Sequence, residues 1–251
     1  MDGAPATIAI TGAAGFIGGA LARRLAADGH HVVGVDVRAP ADDVASTSWV
    51  RGDVTDPASL AAAFAGADRI VHTAALVSDW GAMEDFVAVN VRGTRNVLDA
   101  AAGRRTVCLA SVAVWGYEFR DDLPEDAAPR PCGIPYVDTK GAGERLALRR
   151  GATVIRPGDV YGPGSVPWIV RPLEALRGGT FRLPGRGAGI MTPVYVDDLV
   201  DAVVRALHTD RAAGRAYTVW DGRPLPAREF FAHHARMLGR DAVPTVPRPL
   251  A

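Results

Sequence analysis

The stretch that decides the fold is Thr7–Gly19, TIAITGAAGFIGG. Its apolar run ends at Thr11, glycines follow at positions 12, 15 and 18, and residues 20–25 have helical spacing. This pattern predicts a strand, a glycine-rich turn and a helix. Such a turn can bind phosphate, because glycines let the backbone approach a pyrophosphate and a helix N-terminus offers unpaired N–H groups. The alternative interpretation is a tight turn without a ligand.

The next strand pattern favours a dinucleotide as the ligand. Residues 31–35 are mostly apolar and end in Asp36, where a carboxylate would accept hydrogen bonds from the ribose hydroxyls of an adenosine. The same carboxylate would repel a 2′-phosphate and therefore favours NAD. NADP is the alternative, because the guanidinium of Arg38 could neutralise that phosphate if it turned inward.

Length, composition and charge limit the class of protein. The 251 residues, 48% of them hydrophobic, suit an α/β domain with a large core. The 28 basic and 28 acidic residues cancel, so nothing indicates nucleic acid or a membrane surface as a partner. No apolar run is long enough to span a bilayer, and the first residues lack the pattern of a signal peptide. Cys108 and Cys132 predict free thiols in a reducing cytoplasm, and no Cys/His cluster has the spacing of a metal site.

Three residues of the central part of the chain are candidates for acid–base chemistry. Ser111 follows the fifth strand pattern, and Tyr136 and Lys140 lie four residues apart on one face of a predicted helix. A neighbouring ammonium, together with an oxidised nicotinamide, lowers the pKa of the tyrosine toward working pH. Tyr136 is therefore a candidate general acid/base, whereas the alternative for this common spacing is an ordinary surface pair. His72, in the fourth strand pattern, is interpreted as a packing residue.

Strand and helix patterns alternate along the chain, which predicts a parallel sheet with helices on both faces. The glycine turn TGxxGxxG, the strand end GDVTD at residues 52–56, the strand-end serine, the YxxxK pair and RPGDVYGPG at residues 156–164 follow in the order of the extended short-chain dehydrogenase/reductase family. The chain resembles this family over most of its length. RPGDVYGPG and VSDWG look most like its 3β-hydroxysteroid dehydrogenase and ketoreductase branch.

The resemblance implies a Rossmann fold, that is, a doubly wound parallel α/β sheet with helices on both faces and a small C-terminal substrate lobe. It implies a single domain over residues 1–251. Residues 1–160 would form mainly the dinucleotide-binding core, and residues 161–251 mainly the lobe with some returning core elements. It also implies a homodimer that pairs helices into a four-helix bundle.

The resemblance further assigns roles residue by residue. Ser111 would hydrogen-bond the reacting oxygen, Tyr136 would move the proton, and Lys140 would hold the nicotinamide ribose and tune Tyr136. The predicted cofactor-binding residues are Gly12, Ala14, Gly15, Phe16, Ile17, Gly18, Asp36, Arg38, Asp53, Val54, Ala74, Ala75, Asn90, Lys140, Pro157, Gly158 and Val160. The substrate candidates, taken from a loop at the carboxyl end of the sheet and from apolar side chains, are Ser78, Trp80, Trp115, Trp168 and Met191. The alternative for Ser78 and Trp80 is a lid without substrate contact, and the alternative for the apolar side chains is packing in the core.

Two reactions fit these residues. The leading prediction is hydride transfer between nicotinamide and an alcohol or ketone carbon of an apolar small molecule. The alternative is a nucleotide-sugar epimerase or dehydratase with tightly bound NAD, and a non-catalytic dinucleotide sensor is a third interpretation. Many sugar-nucleotide members carry Asn where this chain has Gly158-Asp159, and an arginine where it has Met191-Thr192-Pro193. Both departures favour the ketone reaction.

Overall fold

The computed structural model describes residues 4–40, 47–116 and 123–247. Residues 1–3, on which the signal-peptide prediction partly rests, lie outside these ranges. The chain divides into two compact units. Unit 1 comprises residues 1–157 and 200–218, and unit 2 comprises residues 158–199 and 219–251.

The strands and helices alternate through most of the chain, as predicted. The strands are β1 Thr7–Thr11, β2 His31–Asp36, β3 Thr47–Arg51, β4 Arg69–His72, β5 Arg105–Leu109, β6 Thr153–Pro157, β7 Asp159–Tyr161, β8 Leu183–Pro184, β9 Ile190–Met191, β10 Pro193–Tyr195, β11 Ala216–Val219, β12 Leu225–Pro226 and β13 Thr245–Val246. The α-helices are α1 Phe16–Ala27, α2 Pro57–Phe64, α3 Met83–Phe86, α4 Thr94–Ala101, α5 Pro135–Arg149, α6 Arg171–Arg177, α7 Val196–His208 and α8 Ala227–Met237.

A seven-stranded sheet carries the fold, in the order β11-β6-β5-β4-β1-β2-β3. The pairs that link β3 to β6 through β2, β1, β4 and β5 are all parallel. The chain therefore winds outward from β1 in both directions, and the predicted Rossmann fold is confirmed. Ile8, Ile10, Ile70 and Val107 are fully buried, because strands with helices on both faces have no solvated side.

Local sequence signals fix several helix ends. The Asp56 carboxylate accepts a hydrogen bond from the Ala58 backbone N–H at 3.0 Å, and Pro57 opens α2. Asp56 is thus the N-cap, as the sequence predicts for an aspartate directly before a proline. Helix α5 likewise opens with Pro135, and it ends just before Gly151, whose φ of 74° no other residue type adopts easily.

The helical region from Met83 to Ala101 contains an irregular turn. A π-helical segment, Val87–Gly93, joins α3 to α4 without a break. At the end of this segment, the hydroxyl of Thr94, the first residue of α4, donates a hydrogen bond to the Asn90 carbonyl at 2.8 Å. Such a wide turn changes which side chains face the sheet, and π turns inside α-helices occur frequently at functional sites.

Unit 2 is built from short strand pairs and an aromatic core. Strands β7 and β10 pair in parallel, β9 and β12 pair antiparallel, and β8 and β13 pair in parallel. Phe230 and Phe231 of α8 pack edge to face and are buried together with Leu183 and Met191. This core holds together strands that are too short to be stable alone.

Both cysteines are free, Cys108 in the interior and Cys132 at the surface, which confirms the prediction of free thiols. Burial raises the pKa of the Cys108 thiol to about 12, so it is neutral at physiological pH. Within residues 4–40, 47–116 and 123–247, no helix is long and apolar enough to cross a bilayer.

Candidate active site

The glycine turn is shaped by two close backbone approaches. Gly12 has φ +74° and donates its N–H to the Val35 carbonyl at 2.8 Å. A Cβ at Gly12 would lie 2.7 Å from the Ala74 backbone nitrogen, and a Cβ at Gly18 would overlap the Gly12 carbonyl oxygen. The turn therefore tolerates no side chain at either position.

Helix α1 begins in a way that leaves its N-terminus available to an anion. Gly15 is the N-cap and makes no side-chain capping bond, and the first turn, which starts at Phe16 and Ile17, contains no acidic residue. The N-terminal N–H groups of a helix lack partners within the helix and carry a partial positive charge. Together with the two bare glycines, this arrangement fits the pyrophosphate of a dinucleotide.

Asp36 ties the end of β2 to the glycine turn. Its carboxylate accepts hydrogen bonds from the Ala14 N–H at 3.1 Å and from the Arg38 N–H at 3.0 Å. The Arg38 Nε lies 3.9 Å from the same carboxylate, but that side chain is 73% exposed. The carboxylate itself is almost completely buried, so the structure presents a fixed negative charge beside the turn.

The other residues predicted at this edge of the sheet lie on its loops. Asp53 accepts hydrogen bonds at 2.8 Å from both the N–H and the hydroxyl of Thr55, and the neighbouring Val54 is buried. Ala74 and Ala75 follow β4 and are partly buried, and the Ala74 N–H lies 3.5 Å from the Thr11 hydroxyl. Small residues at this point leave room for a ligand beside the backbone.

We expect Gly18→Ala to weaken NADH binding by at least about tenfold and to lower Tm, because the added methyl group overlaps the Gly12 carbonyl. Gly19→Ala is the matched control in the same helix, since its Cβ would make only ordinary contacts at 3.5 and 3.6 Å. Isothermal titration with NADH and thermal melting of both variants check this prediction. Equal affinities for the two variants would contradict it.

The acid–base candidates lie around the carboxyl end of β5. Ser111 follows this strand, and its hydroxyl oxygen accepts a hydrogen bond from the Ala113 N–H at 3.1 Å. The Lys140 ammonium donates a hydrogen bond to the Leu109 carbonyl at 2.5 Å. Tyr136 lies one turn earlier on α5 and is half-buried. The lysine bond thus holds the Tyr136–Lys140 face of α5 against the strand end that leads into Ser111.

The surroundings of Lys140 shift its protonation equilibrium. Burial lowers the pKa of Lys140 to about 8, and the nearby acidic Glu144 acts in the opposite direction. A small internal cavity of about 10 Å³ lies behind the lysine and is lined in part by His72, Asn90 and Glu144. This volume is roughly that of one water molecule.

Glu144 and Arg156 form a fully buried ion pair behind α5. Arg156 donates from Nε and Nη2 to the two carboxylate oxygens at 2.8 and 2.5 Å, and from Nη1 to the Glu125 carbonyl at 2.5 Å. Its guanidinium stacks over the Trp115 ring at 4.7 Å. The Trp115 indole N–H donates to the Ala127 carbonyl. Arg156 therefore ties loops to α5, and Trp115 is a buried residue whose ring packs against Arg156, while its role as a substrate contact stays a prediction.

The Asn90 amide links the loop after β4 to α5, and its predicted role at the cofactor stays a prediction. Its side-chain oxygen accepts from the Leu76 N–H at 2.8 Å, and its amide nitrogen donates to the Leu76 carbonyl and to the Thr139 hydroxyl, each at 3.1 Å. The loop after β4 is thereby fixed to α5, one residue before Lys140. Sequence reasoning missed this clamp, because its partners lie 14 and 49 positions away from Asn90 in the chain.

In unit 2, Gly158 and Asp159 pack tightly against Thr192. A Cβ at Gly158 would overlap the Thr192 carbonyl oxygen. The Asp159 N–H donates to that same carbonyl at 2.8 Å, and the Asp159 carboxylate accepts from the Thr192 N–H at 2.8 Å. Burial raises the pKa of Asp159. The two departures from the sugar-nucleotide pattern are therefore one packed unit.

The remaining predicted site residues differ in exposure. Trp80 is 85% exposed, and the Ser78 hydroxyl oxygen accepts a hydrogen bond from its N–H at 3.2 Å. Met191 is buried in the unit 2 core, where the partly buried Trp168 packs edge to face on Phe230. Val160 and Pro157 are buried strand residues. Of the apolar substrate candidates, Trp80 alone presents a large exposed surface.

Comparison with known proteins assigns the family. The model of the NAD dependent epimerase/dehydratase family matches residues 8–219, so the chain belongs to this family. It is 33% identical to a 2-alkyl-3-oxoalkanoate reductase of Stenotrophomonas maltophilia, covering 88% of this chain and 72% of the relative. It is also 33% identical to a UDP-glucose 4-epimerase of Mycolicibacterium smegmatis, covering 95% and 83%.

Two further matches, one to a relative and one to a solved structure, agree with this assignment. A 3 beta-hydroxysteroid dehydrogenase/Delta 5-->4-isomerase of Mycobacterium tuberculosis is 31% identical, with coverage of 89% of this chain and 67% of the relative. The solved structure of MoeE5 in complex with UDP-glucose and NAD has a TM-score of 0.82 at 30% identity and covers 96% of this chain and 85% of that chain. The predicted family of extended short-chain dehydrogenases/reductases is confirmed, and the chain is an enzyme of this NAD-dependent superfamily.

Proposed function

We propose that this enzyme transfers a hydride between NAD and an alcohol or ketone carbon of an apolar small molecule. The observation that carries the proposal is the hydrogen bond from Lys140 to the Leu109 carbonyl at 2.5 Å. It holds the helix face of Tyr136 and Lys140 at the end of β5, where Ser111 follows. A proton donor, a cation and a hydroxyl hydrogen-bond donor are the groups that carbonyl reduction needs.

Each side chain has a distinct task in this proposal. Ser111 donates a hydrogen bond to the substrate oxygen and orients it. In the reduction direction, the Tyr136 hydroxyl gives its proton to that oxygen, and in the oxidation direction the phenolate takes the proton back. Lys140 stabilises the phenolate through its positive charge and hydrogen-bonds the ribose of the cofactor. NAD, when bound, supplies the hydride acceptor and, in its reduced form, the hydride donor.

The cofactor would lie along the glycine turn. The bare backbone at Gly12, Gly15 and Gly18 would receive the pyrophosphate at the N-terminus of α1. Asp36 would accept the ribose hydroxyls, while Ala74 and Ala75 leave space beside the end of β4. Arg38 stands mostly in solvent beside a buried carboxylate, which supports NAD in preference to NADP.

The packed unit of Gly158, Asp159 and Thr192 supports a substrate other than a nucleotide sugar. Many sugar-nucleotide members of the family carry an asparagine where this chain has Gly158-Asp159, and here these two residues are packed against Thr192. The similarity to a 2-alkyl-3-oxoalkanoate reductase and to a hydroxysteroid dehydrogenase supports an apolar ketone. The exposed Trp80 would offer such a substrate an apolar contact.

A nucleotide-sugar epimerase is the second candidate, because the UDP-glucose 4-epimerase and MoeE5 are similar to this chain over most of its length. The test is a parallel assay of the purified protein. One set of reactions contains NADH or NADPH with long-chain 3-oxo acids, other aliphatic ketones and ketosteroids, and the other contains UDP-glucose or UDP-glucuronic acid with NAD. Net loss of reduced nicotinamide with ketones supports the proposal, whereas sugar epimerisation without net redox change would replace it by the second candidate.

The cofactor preference has its own prediction. Asp36→Asn keeps an oxygen that accepts from the Ala14 N–H but removes the charge, so we expect NADPH affinity to rise by about tenfold relative to NADH. Asp36→Ala should shift the ratio of NADPH to NADH affinity similarly. It should also weaken the binding of both cofactors, because the Ala14 N–H of the glycine turn loses its hydrogen-bond acceptor. Isothermal titration with each reduced cofactor measures both effects. An unchanged ratio of the two affinities in both variants would show that Asp36 does not bind the ribose.

A further inference from the structure

A series of buried hydrogen bonds runs from the glycine turn toward α5. The Thr11 hydroxyl oxygen lies 2.8 Å from His72 Nδ1, and His72 Nε2 lies 2.9 Å from the Thr94 hydroxyl oxygen. Thr94 in turn donates to the Asn90 carbonyl at 2.8 Å. Each of these four side chains is at most 5% exposed. We call Thr11, His72, Thr94 and Asn90 the polar bridge.

The bonding pattern assigns the proton positions along the polar bridge. A carbonyl oxygen only accepts, so the Thr94 hydroxyl donates to Asn90 and must accept from His72 Nε2–H. His72 Nδ1 then carries no proton and accepts from the Thr11 hydroxyl. Burial, helped by the nearby Lys140 charge, lowers the pKa of His72 to about 3, so the ring stays neutral and keeps this tautomer.

The polar bridge ends at both functional parts of unit 1. Thr11 is the last residue of β1 and directly precedes Gly12, whose approach to Ala74 shapes the glycine turn. At the other end, the Asn90 amide fixes Leu76 and bonds the Thr139 hydroxyl, next to Lys140. One ring nitrogen of His72 therefore faces the cofactor side and the other faces the acid–base side.

We infer that His72 is a positioning residue that holds the glycine turn through Nδ1 and the Tyr136–Lys140 face of α5 through Nε2. This inference rests on the proposed function, in that it assumes a dinucleotide at the glycine turn. Neither family membership nor the acid–base proposal requires it. It goes beyond the packing role predicted for His72, because packing alone would not distinguish the two ring nitrogens.

Two substitutions separate the two bonds. His72→Asn places an acceptor near the Nδ1 position and is too short to reach Thr94, whereas His72→Gln reaches Thr94 with its amide N–H and leaves Thr11 without an acceptor. We expect His72→Gln to weaken NADH binding by about tenfold, measured by isothermal titration. Amide hydrogen exchange in residues 135–141 of α5 should change little in this variant. We expect His72→Asn to bind NADH within about twofold of the wild type, but to speed amide hydrogen exchange in residues 135–141 by about tenfold.

Matched variants distinguish the loss of one hydrogen bond from a general loss of folding. Thr11→Val should reproduce the loss of NADH affinity, and Thr94→Val should reproduce the faster exchange, because each removes one bond with little change of shape. Cys108→Ala is the control, since Cys108 is buried in the neighbouring strand and lines the same cavity outside the polar bridge. It should leave both readouts at wild-type values.

The outcomes distinguish this inference from the proposed function. Suppose that the wild type binds NADH but both His72 variants show the same changes in NADH affinity and in amide hydrogen exchange, or no change in either. That result would overturn the positioning role of His72 and leave the proposed function in place. A wild-type protein that binds neither NADH nor NADPH would overturn the proposed function and the inference with it. Neither readout requires a substrate, so failure to find a ketone substrate would count against the proposed function alone.

Discussion

Tyr136→Phe is expected to lower kcat by about a thousandfold while NADH affinity stays near the wild-type value. The substitution removes only the hydroxyl that gives or takes the proton, and general acid–base catalysis contributes on the order of 10²–10⁴. Helix α5 keeps its position, because Lys140 still donates to the Leu109 carbonyl. Steady-state kinetics with the best ketone of the assay, together with NADH titration, measures both parameters.

The control for this prediction is Tyr217→Phe, which removes a phenolic hydroxyl from β11, a strand at the edge of the sheet. It should leave kcat unchanged. Ser111→Ala should lower kcat less than Tyr136→Phe, since it removes a hydrogen bond and not the proton itself. Full turnover by Tyr136→Phe with intact cofactor binding would show that another group moves the proton.

The largest effect on stability is expected from Glu144→Ala. It would leave the Arg156 guanidinium buried beside Trp115 without its carboxylate, and breaking a buried ion pair in this way costs about 3–5 kcal/mol. For a chain of this size, that corresponds to a fall in Tm on the order of 10 °C. Thermal melting and urea unfolding of the purified variant measure the change.

The matched control replaces both partners. Glu144→Leu combined with Arg156→Met removes the two charges together, so no buried charge is left without its partner, and we expect this double variant to be clearly more stable than Glu144→Ala. Any loss of stability that the double variant still shows relative to the wild type would measure the lost hydrogen bond from Arg156 to the Glu125 carbonyl. A double variant no more stable than Glu144→Ala would show that shape, and not the uncompensated charge, determines the loss.

The fold could be predicted because its signals are local. The apolar strands, the glycine turn and the Asp56-Pro57 start of α2 each follow from a few adjacent residues, and parallel order follows from their alternation. The order in which Ser111, Tyr136 and Lys140 occur gave the candidate acid–base set. The bond from Lys140 to the Leu109 carbonyl places Lys140 at the end of β5, and the roles of the three residues stay a prediction.

The contacts that sequence reasoning missed all join residues far apart in the chain. The sequence did not reveal that the Asn90 amide bonds Leu76 and Thr139. It also did not reveal that Arg156, 41 positions further along than Trp115, lies over the Trp115 ring. The polar bridge pairs Thr11 with His72 and His72 with Thr94. Such partners depend on how strands and helices stack, which periodicity does not encode.

The most direct test of the central claim follows the hydride itself. The enzyme would be incubated with an apolar ketone substrate and NADH deuterated at nicotinamide C4, in separate reactions for each face of the ring, and the product alcohol analysed by mass spectrometry. We expect one deuterium in the alcohol from one of the two labelled cofactors, and no labelled alcohol from Tyr136→Phe over the same time. An alcohol without deuterium from either cofactor, or label retained by NAD(H) while a UDP-sugar is epimerised, would contradict it.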